Sequence, residues 1–437
     1  MSKRNFILLI ILLVIAVAVL FAYLFGSRRT TTSTDTGGGT NFISQFNPFG
    51  TGTTTPPKTT PTPVDVSGNQ PSNTLVVKPK LIKVSSVPVA GFIVYQKERL
   101  KDVPISPTPA PTKKPTPPPT EFAPALRYID RATGNIFQTF ADKIAERKFS
   151  TTIIPKIYEA FFGKNADSVV MRYLKGNGKT IQTFVGNLPK EILDGDTTSD
   201  NQIKGSFLPE DIKDISISPD AGSIFYLFNS GDNILGTTMN LSTNKKAQVF
   251  DSPFTEWLSQ WPSNKMITLT TKAAAGVSGY MYAMDPTSSG KGISHVLGNI
   301  NGLTTLTSPS GKLILYGNDS VSLSIYHTDT KTSDAVGVRT LPEKCVWGKG
   351  GDVLYCAVPK TLPGGAYPDS WYQGEVSFSD QIWKLDMASG NTTILADPLA
   401  IGGGQELDGA KLALDLGENY LFFVNKKDSF LWELSIK

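Results

Sequence analysis

Cysteine and histidine are scarce: the 437-residue chain holds two of each. Two cysteines leave no Cys-rich zinc site, which draws its ligands from several Cys and His side chains. The chain contains no Gly-x-Ser-x-Gly elbow, no His-Glu-x-x-His pair and no phosphate loop. His327 sits beside Tyr326 in a strand pattern and reads as packing. Asp194, Asp196 and Asp200 begin like a calcium loop, but Ser199 and Gly205 stand where an EF-hand needs Gly and Glu. These absences assign no catalytic residue, no metal and no cofactor. Charge is also sparse, at 18% of residues with a net +4. Lys3, Arg4, Arg28, Arg29 and Lys58 against Asp35 and Asp65 put +3 in residues 1–73, so the other 364 carry about +1. A near-neutral body excludes nucleic acid as a partner, because binding it takes clustered Lys and Arg.

What is present begins with Phe6–Phe25, twenty residues without charge. At helical rise this run matches the hydrocarbon thickness of a bilayer, about 30 Å. It exceeds the usual signal-peptide core, and Tyr23-Leu24-Phe25-Gly26 is a poor cleavage site. The expectation is a retained anchor, residues 1–26, with the lipid bilayer as partner through residues 6–25. Basic residues flank both sides, so charge alone orients it only slightly. Residues 27–73, rich in Thr, Pro, Gly and Ser, read as a disordered stalk. Such stalks stand outside membranes, which places the N-terminus in the cytoplasm and the rest outside it.

From residue 74 the pattern turns to short alternating strands. Ile215–Phe228 reads strand, tight turn, strand, and the unit recurs. From Pro219 the starts advance by 43, 47, 39 and 68 positions, to Pro262, Pro309, Gly348 and Leu416. A period of about 40–45 residues with four strands per unit predicts a β-propeller. We read residues 74–437 as seven blades: 81–141, 150–210, 212–251, 254–299, 302–341, 342–397 and 408–437. The last ends after three strands, Phe430–Ile436 being the third. The strand near Leu75–Lys80 is left over, and placing it beside Phe430–Ile436 closes the ring and removes raw edges. The Pro-rich run 102–120 is either a linker or a loop within blade one. We take the loop, because residues 75–96 are too few for a core of their own. Arg127–Phe140 matches Ile382–Leu395, both reading strand, Asp, Gly turn, strand. That match makes Arg127–Phe140 the last two strands of blade one, and makes 102–120 a connection between its second and third.

Ser218-Pro-Asp-Ala-Gly-Ser-Ile-Phe-Tyr226 and Ser308-Pro-Ser-Gly-Lys-Leu-Ile-Leu-Tyr316 resemble the repeat signature of TolB-like and WD-like bacterial propellers. Ala221 and Ser310 depart from that signature, and blades two and six lack its Ser-Pro pair. The resemblance implies a scaffold for binding, within envelope complexes or within enzymes; the fold itself fixes no function.

Cys345 and Cys356 lie equidistant from Gly350-Gly351, so they face each other across a hairpin. Read with a two-residue turn they form a hydrogen-bonded pair, about 4.5–5.5 Å between Cα atoms and within disulfide range. Pro359–Asp380 connects the second and third strands of blade six and far exceeds a hairpin loop in length. Long loops on rigid scaffolds carry recognition. Tyr367, Trp371, Tyr372 and Phe378 supply aromatic area, and Asp369 and Asp380 supply acceptors. The alternative is a loop folded back on its blade with Trp371 as a small core. Taken together, the expectation is a membrane-anchored, extracytoplasmic binding or assembly module of the cell envelope. Its partner would be another envelope protein, a peptide or a glycan. A propeller enzyme acting on glycans or peptides, and a purely structural stalked protein, are the alternatives. A cluster of acids with His or Arg at a channel mouth would favour the enzyme.

Overall fold

The computed structural model describes residues 80–101, 118–191, 202–287, 292–401 and 403–437. The span 6–25, the stalk 27–73, the calcium-like run and most of 102–120 lie outside the described residues. Among the described residues no helix is long and apolar enough to cross a membrane.

Seven four-stranded antiparallel sheets follow one another along the chain. We name the strands of each blade A to D in pairing order. Blade three is typical: Asp214–Ile217, Ser223–Ser230, Asn233–Asn240 and Lys246–Ser252. The A strands of blades one and two, three and four, four and five, six and seven, and seven and one touch, so the A strands form the innermost ring. Gly91 marks how closely they approach: a Cβ there would stand 1.9 Å from Ala160 O. The hydrophobic core lies between blades. Leu315 and Ile325 of blade five, for example, pack on Trp347, Leu354 and Leu385 of blade six.

The recurrent turn has a local cause. Ser218 Oγ accepts from Ser223 N at 2.9 Å and donates to Asp220 at 2.7 Å, while Ala221 N closes on Ser218 O. The fourth turn position is left-handed: Ala221 (φ 53°), Gly311 (71°), Gly351 (75°) and Glu418 (51°). In blade seven Asp415 takes the place of Ser218, receiving Asn419 N and Tyr420 N at 2.7 Å each.

The ring closes as expected in kind, with a shift in detail. The outer strand of blade seven is Leu81–Lys83, paired with Leu431–Ser435, and not Leu75–Lys80. Blade one therefore runs Val89–Leu100, Thr120–Asp130, Ile136–Phe140 and Arg147–Lys148. The Asp–Gly turn of Arg127–Phe140 sits between strands B and C here, and between C and D in blade six. Its physics explains the shift. Asp130 Oδ1 accepts Ala132 N and Gly134 takes φ 76°, an arrangement that suits any hairpin. The insertion 102–120 thus joins strands A and B, whereas 359–380 joins B and C. In a meander those connections leave opposite ends of a blade, so Leu100 and Thr120, which flank the first insertion, lie at the end opposite to the B–C connections.

Cys345 and Cys356 form a disulfide, their Cα atoms 4.1 Å apart. Gly348 N bonds Val353 O and Gly351 N bonds Gly348 O, so the turn has four residues between its closing pair. That changes the parity. The cysteines occupy a non-hydrogen-bonded pair, where side chains come closest. With a sequence separation of 11 the closed loop is short, and the bond contributes at the low end of about 2–4 kcal/mol.

Candidate functional site

On the B–C face the blade-six loop is a folded unit. Its helix, Asp369–Tyr372, presents Trp371 inward. Trp371 stacks on Phe378 (centroids 6.3 Å, 11°), and Tyr367 also stacks on Phe378, at 5.9 Å. Val321 and Leu341 of blade five complete the cluster. Tyr367 donates to Pro363 O at 2.6 Å, and Asp369 Oδ2 accepts Ala275 N of blade four at 2.6 Å. The loop therefore reaches across blade five to blade four.

Beneath it lies a buried charge cluster. Lys344, fully buried, donates to Asp380 at 2.8 Å, to Asp408, and to Gly409 O at 2.9 Å. Asp408 also accepts Trp371 Nε1 (3.0 Å), Phe378 N (3.1 Å) and Ser377 Oγ (3.2 Å). The ammonium faces the rings of Trp371 and Phe378 at 5.3 and 5.1 Å.

Of the six loop residues singled out from sequence, Tyr367, Trp371, Phe378 and Asp380 are therefore interior, with Trp371 only 5% exposed. As a ready contact surface that set is corrected: the aromatic side chains were needed to give a long polar-rich loop a core. Asp369 is half-buried and Tyr372 is exposed, its hydroxyl donating to Glu343. The two histidines lie away from the axis. His295 packs against Tyr282 on strand D of blade four, and His327 meets Asp334 at 3.0 Å on the outer strands of blade five.

The axis itself carries charge that sequence reasoning did not find. Glu159 on strand A of blade two accepts Arg172 at 2.5 Å, and Arg172 also donates to Ile212 O. Asp214 on strand A of blade three receives Ser259 N and Oγ at 2.6 and 2.7 Å. Burial raises the Asp214 pKa, partly offset by those bonds. Lys411, on strand A of blade seven, donates to Ala90 O at 3.2 Å. It is open to channel water yet walled by protein, and that burial lowers its pKa against the pull of Glu159. Among the described residues it has no ion-pair partner. Blades four and five contribute neutral groups: Gln260, Thr270 and Thr305 bond one another and nearby backbone.

A groove of about 720 Å³ opens on the B–C face between blades one, two and seven. Pro88, Ile157, Leu174 and Ile181 give it aliphatic walls, and Tyr158 one aromatic edge. Arg131, Lys156 and Lys427 rim it, with Asp428 opposing. Arg131 is fixed by Ser429 Oγ at 2.7 Å and Lys427 by Glu406 at 2.8 Å, which leaves Lys156 exposed at φ 62°. The signal for this site was a charged residue within an innermost strand, as in Ile157-Tyr-Glu-Ala and Gly409-Ala-Lys-Leu. Reading it requires knowing which strand is innermost, and that frame was off by one in blade one.

No family model and no curated protein matches the chain. Solved structures do resemble it in fold. TolB from Acinetobacter baumannii is 12% identical, over 70% of this chain and 60% of that one, with a TM-score of 0.38. Oligogalacturonate lyase from Vibrio parahaemolyticus is 7% identical, over 80% and 99%, with a TM-score of 0.45. The β-propeller domain of the Trilobed protease from Pyrococcus furiosus is 12% identical, over 72% and 94%, also at 0.45. The chain spans about 60% of the length of the TolB chain it matches. These likenesses concern the propeller alone, whose blade count comes from the chain's own sheets.

Proposed function

We propose that this chain is a single-pass membrane protein whose propeller stands outside the cytoplasm and binds another envelope protein through its B–C face. The observation that carries the binding half is the groove between blades one, two and seven. Its aliphatic walls suit an apolar side chain, and Arg131 and the exposed Lys156 on its rim suit a carboxylate. An acidic peptide segment with an apolar side chain meets both requirements; a glycan would call for more aromatic platform than Tyr158 provides. Tyr372, outward on the blade-six loop, lies on the same face and widens the contact. The channel acids and Arg172 are what an enzyme would use, but Glu159 is held by Arg172 and Asp214 by Ser259. Both carboxyls are committed to partners within the wall, which favours binding over catalysis.

Lys156→Glu is expected to slow association with the partner captured from native membranes by about tenfold at low salt. Thermal unfolding should not change. Equal capture by the variant and the parent would remove the groove from the reading. The anchor is tested separately. Protease added to intact cells should release a fragment beginning within residues 27–73. Protection until lysis would place the propeller on the inner side.

A further inference from the structure

Lys344 and Asp380 come together with more than an ion pair needs. Both are interior, at 0% and 2% exposure, in a pocket walled by Trp371 and Phe378. A buried ion pair is costly to hold, because two charges are removed from water. A neutral amide in the same place removes both charges, and a dry pocket keeps the reverse hydrolysis away. The two carboxyls are also unequal. Asp408 receives Trp371 Nε1, Phe378 N and Ser377 Oγ besides Lys344. Asp380 receives Lys344 and Gly409 N on Oδ2 only, while its Oδ1 is buried without a hydrogen-bond partner.

We propose that Lys344 Nζ condenses with the Asp380 carboxyl to form a side-chain amide, with Asp408 as the base. Asp408 takes a proton from the ammonium, and the freed electron pair attacks Asp380 Cγ. The Nζ–Cγ bond forms and the Cγ–Oδ1 bond breaks. Asp380 enters as the acid, with its proton on Oδ1; one ammonium proton joins it there and Oδ1 leaves as water, a second stays on Asp408, and the third remains on the amide nitrogen. Nothing is oxidised or reduced, and no co-reactant is required. Burial pushes the Asp380 pKa up to about 6, against the opposing pull of Lys344, which favours the neutral electrophile the step needs. The amide would close a loop of separation 36 and fasten the base of the blade-six loop, one residue from the Cys345–Cys356 disulfide. Such a bond suits a surface exposed to proteases outside the cell.

Peptide mapping of the full-length chain, purified, reduced, alkylated and digested with trypsin, tests this without any variant. Cleavage after Lys344 should be absent. A branched peptide joining Lys344 to Asp380 should appear, one water lighter than its two parts. Linear peptides with a free Lys344 overturn the proposal, as does a bond to Asp408. Two variants test the roles. Asp380→Asn should form the same amide with loss of ammonia. Asp408→Asn should keep the fold and form none; a bond in that variant would overturn the part assigned to Asp408.

Discussion

Trp371→Ala should destabilise the propeller by about 3–5 kcal/mol, the range for removing a buried large aromatic. The ring is 5% exposed, stacks on Phe378, and bonds Asp408 through Nε1. Its loss opens a cavity and leaves part of the Asp408 carboxylate unsatisfied. Scanning calorimetry should show blade six melting early, while Leu416→Ala, at a site 63% exposed, shifts stability by no more than about 0.5 kcal/mol. An anchor held out for a partner would behave in reverse: unchanged unfolding and weakened capture. That result would return Trp371 to the contact surface.

Asp408→Ala should cost about as much, roughly 3–5 kcal/mol, because it removes the acceptor shared by several buried donors. Lys344 would lose an acceptor, and Trp371 Nε1, Phe378 N and Ser377 Oγ would lose theirs together. Asp408→Asn keeps an oxygen for those donors and should cost clearly less. Denaturant unfolding of the two variants measures the difference. Equal, small losses would mean that water reaches the cluster and satisfies it.

The architecture was legible because its turns have strict chemistry. A Ser or Asp that caps a turn, followed by a left-handed residue and an aliphatic strand, marks Ser218, Ser308 and Asp415 alike. The same chemistry misled in blade one. An Asp–Gly turn fits any hairpin, so Asp130 and Asp386 match in sequence while serving different strand pairs. One displaced strand then put the insertion 102–120 between the wrong pair of strands. Turn length governed the cysteines: four residues between Gly348 and Val353, instead of two, set the type of pair. The buried role of Trp371 was present as an alternative, since local sequence cannot say which side of an aromatic loop faces the blade. The axial charges were illegible for a further reason. Glu159, Asp214 and Lys411 come from three blades and meet only once the ring closes.

Site-specific photocrosslinking in intact cells tests the central claim most directly. A photoreactive residue replaces Lys156 or Tyr158 in the groove, or Leu416 on the A–B turn of blade seven at the opposite end. The account predicts a discrete protein adduct from positions 156 and 158 and none from 416. Adducts from 416 alone would contradict it, and would move the partner to the other face of the propeller.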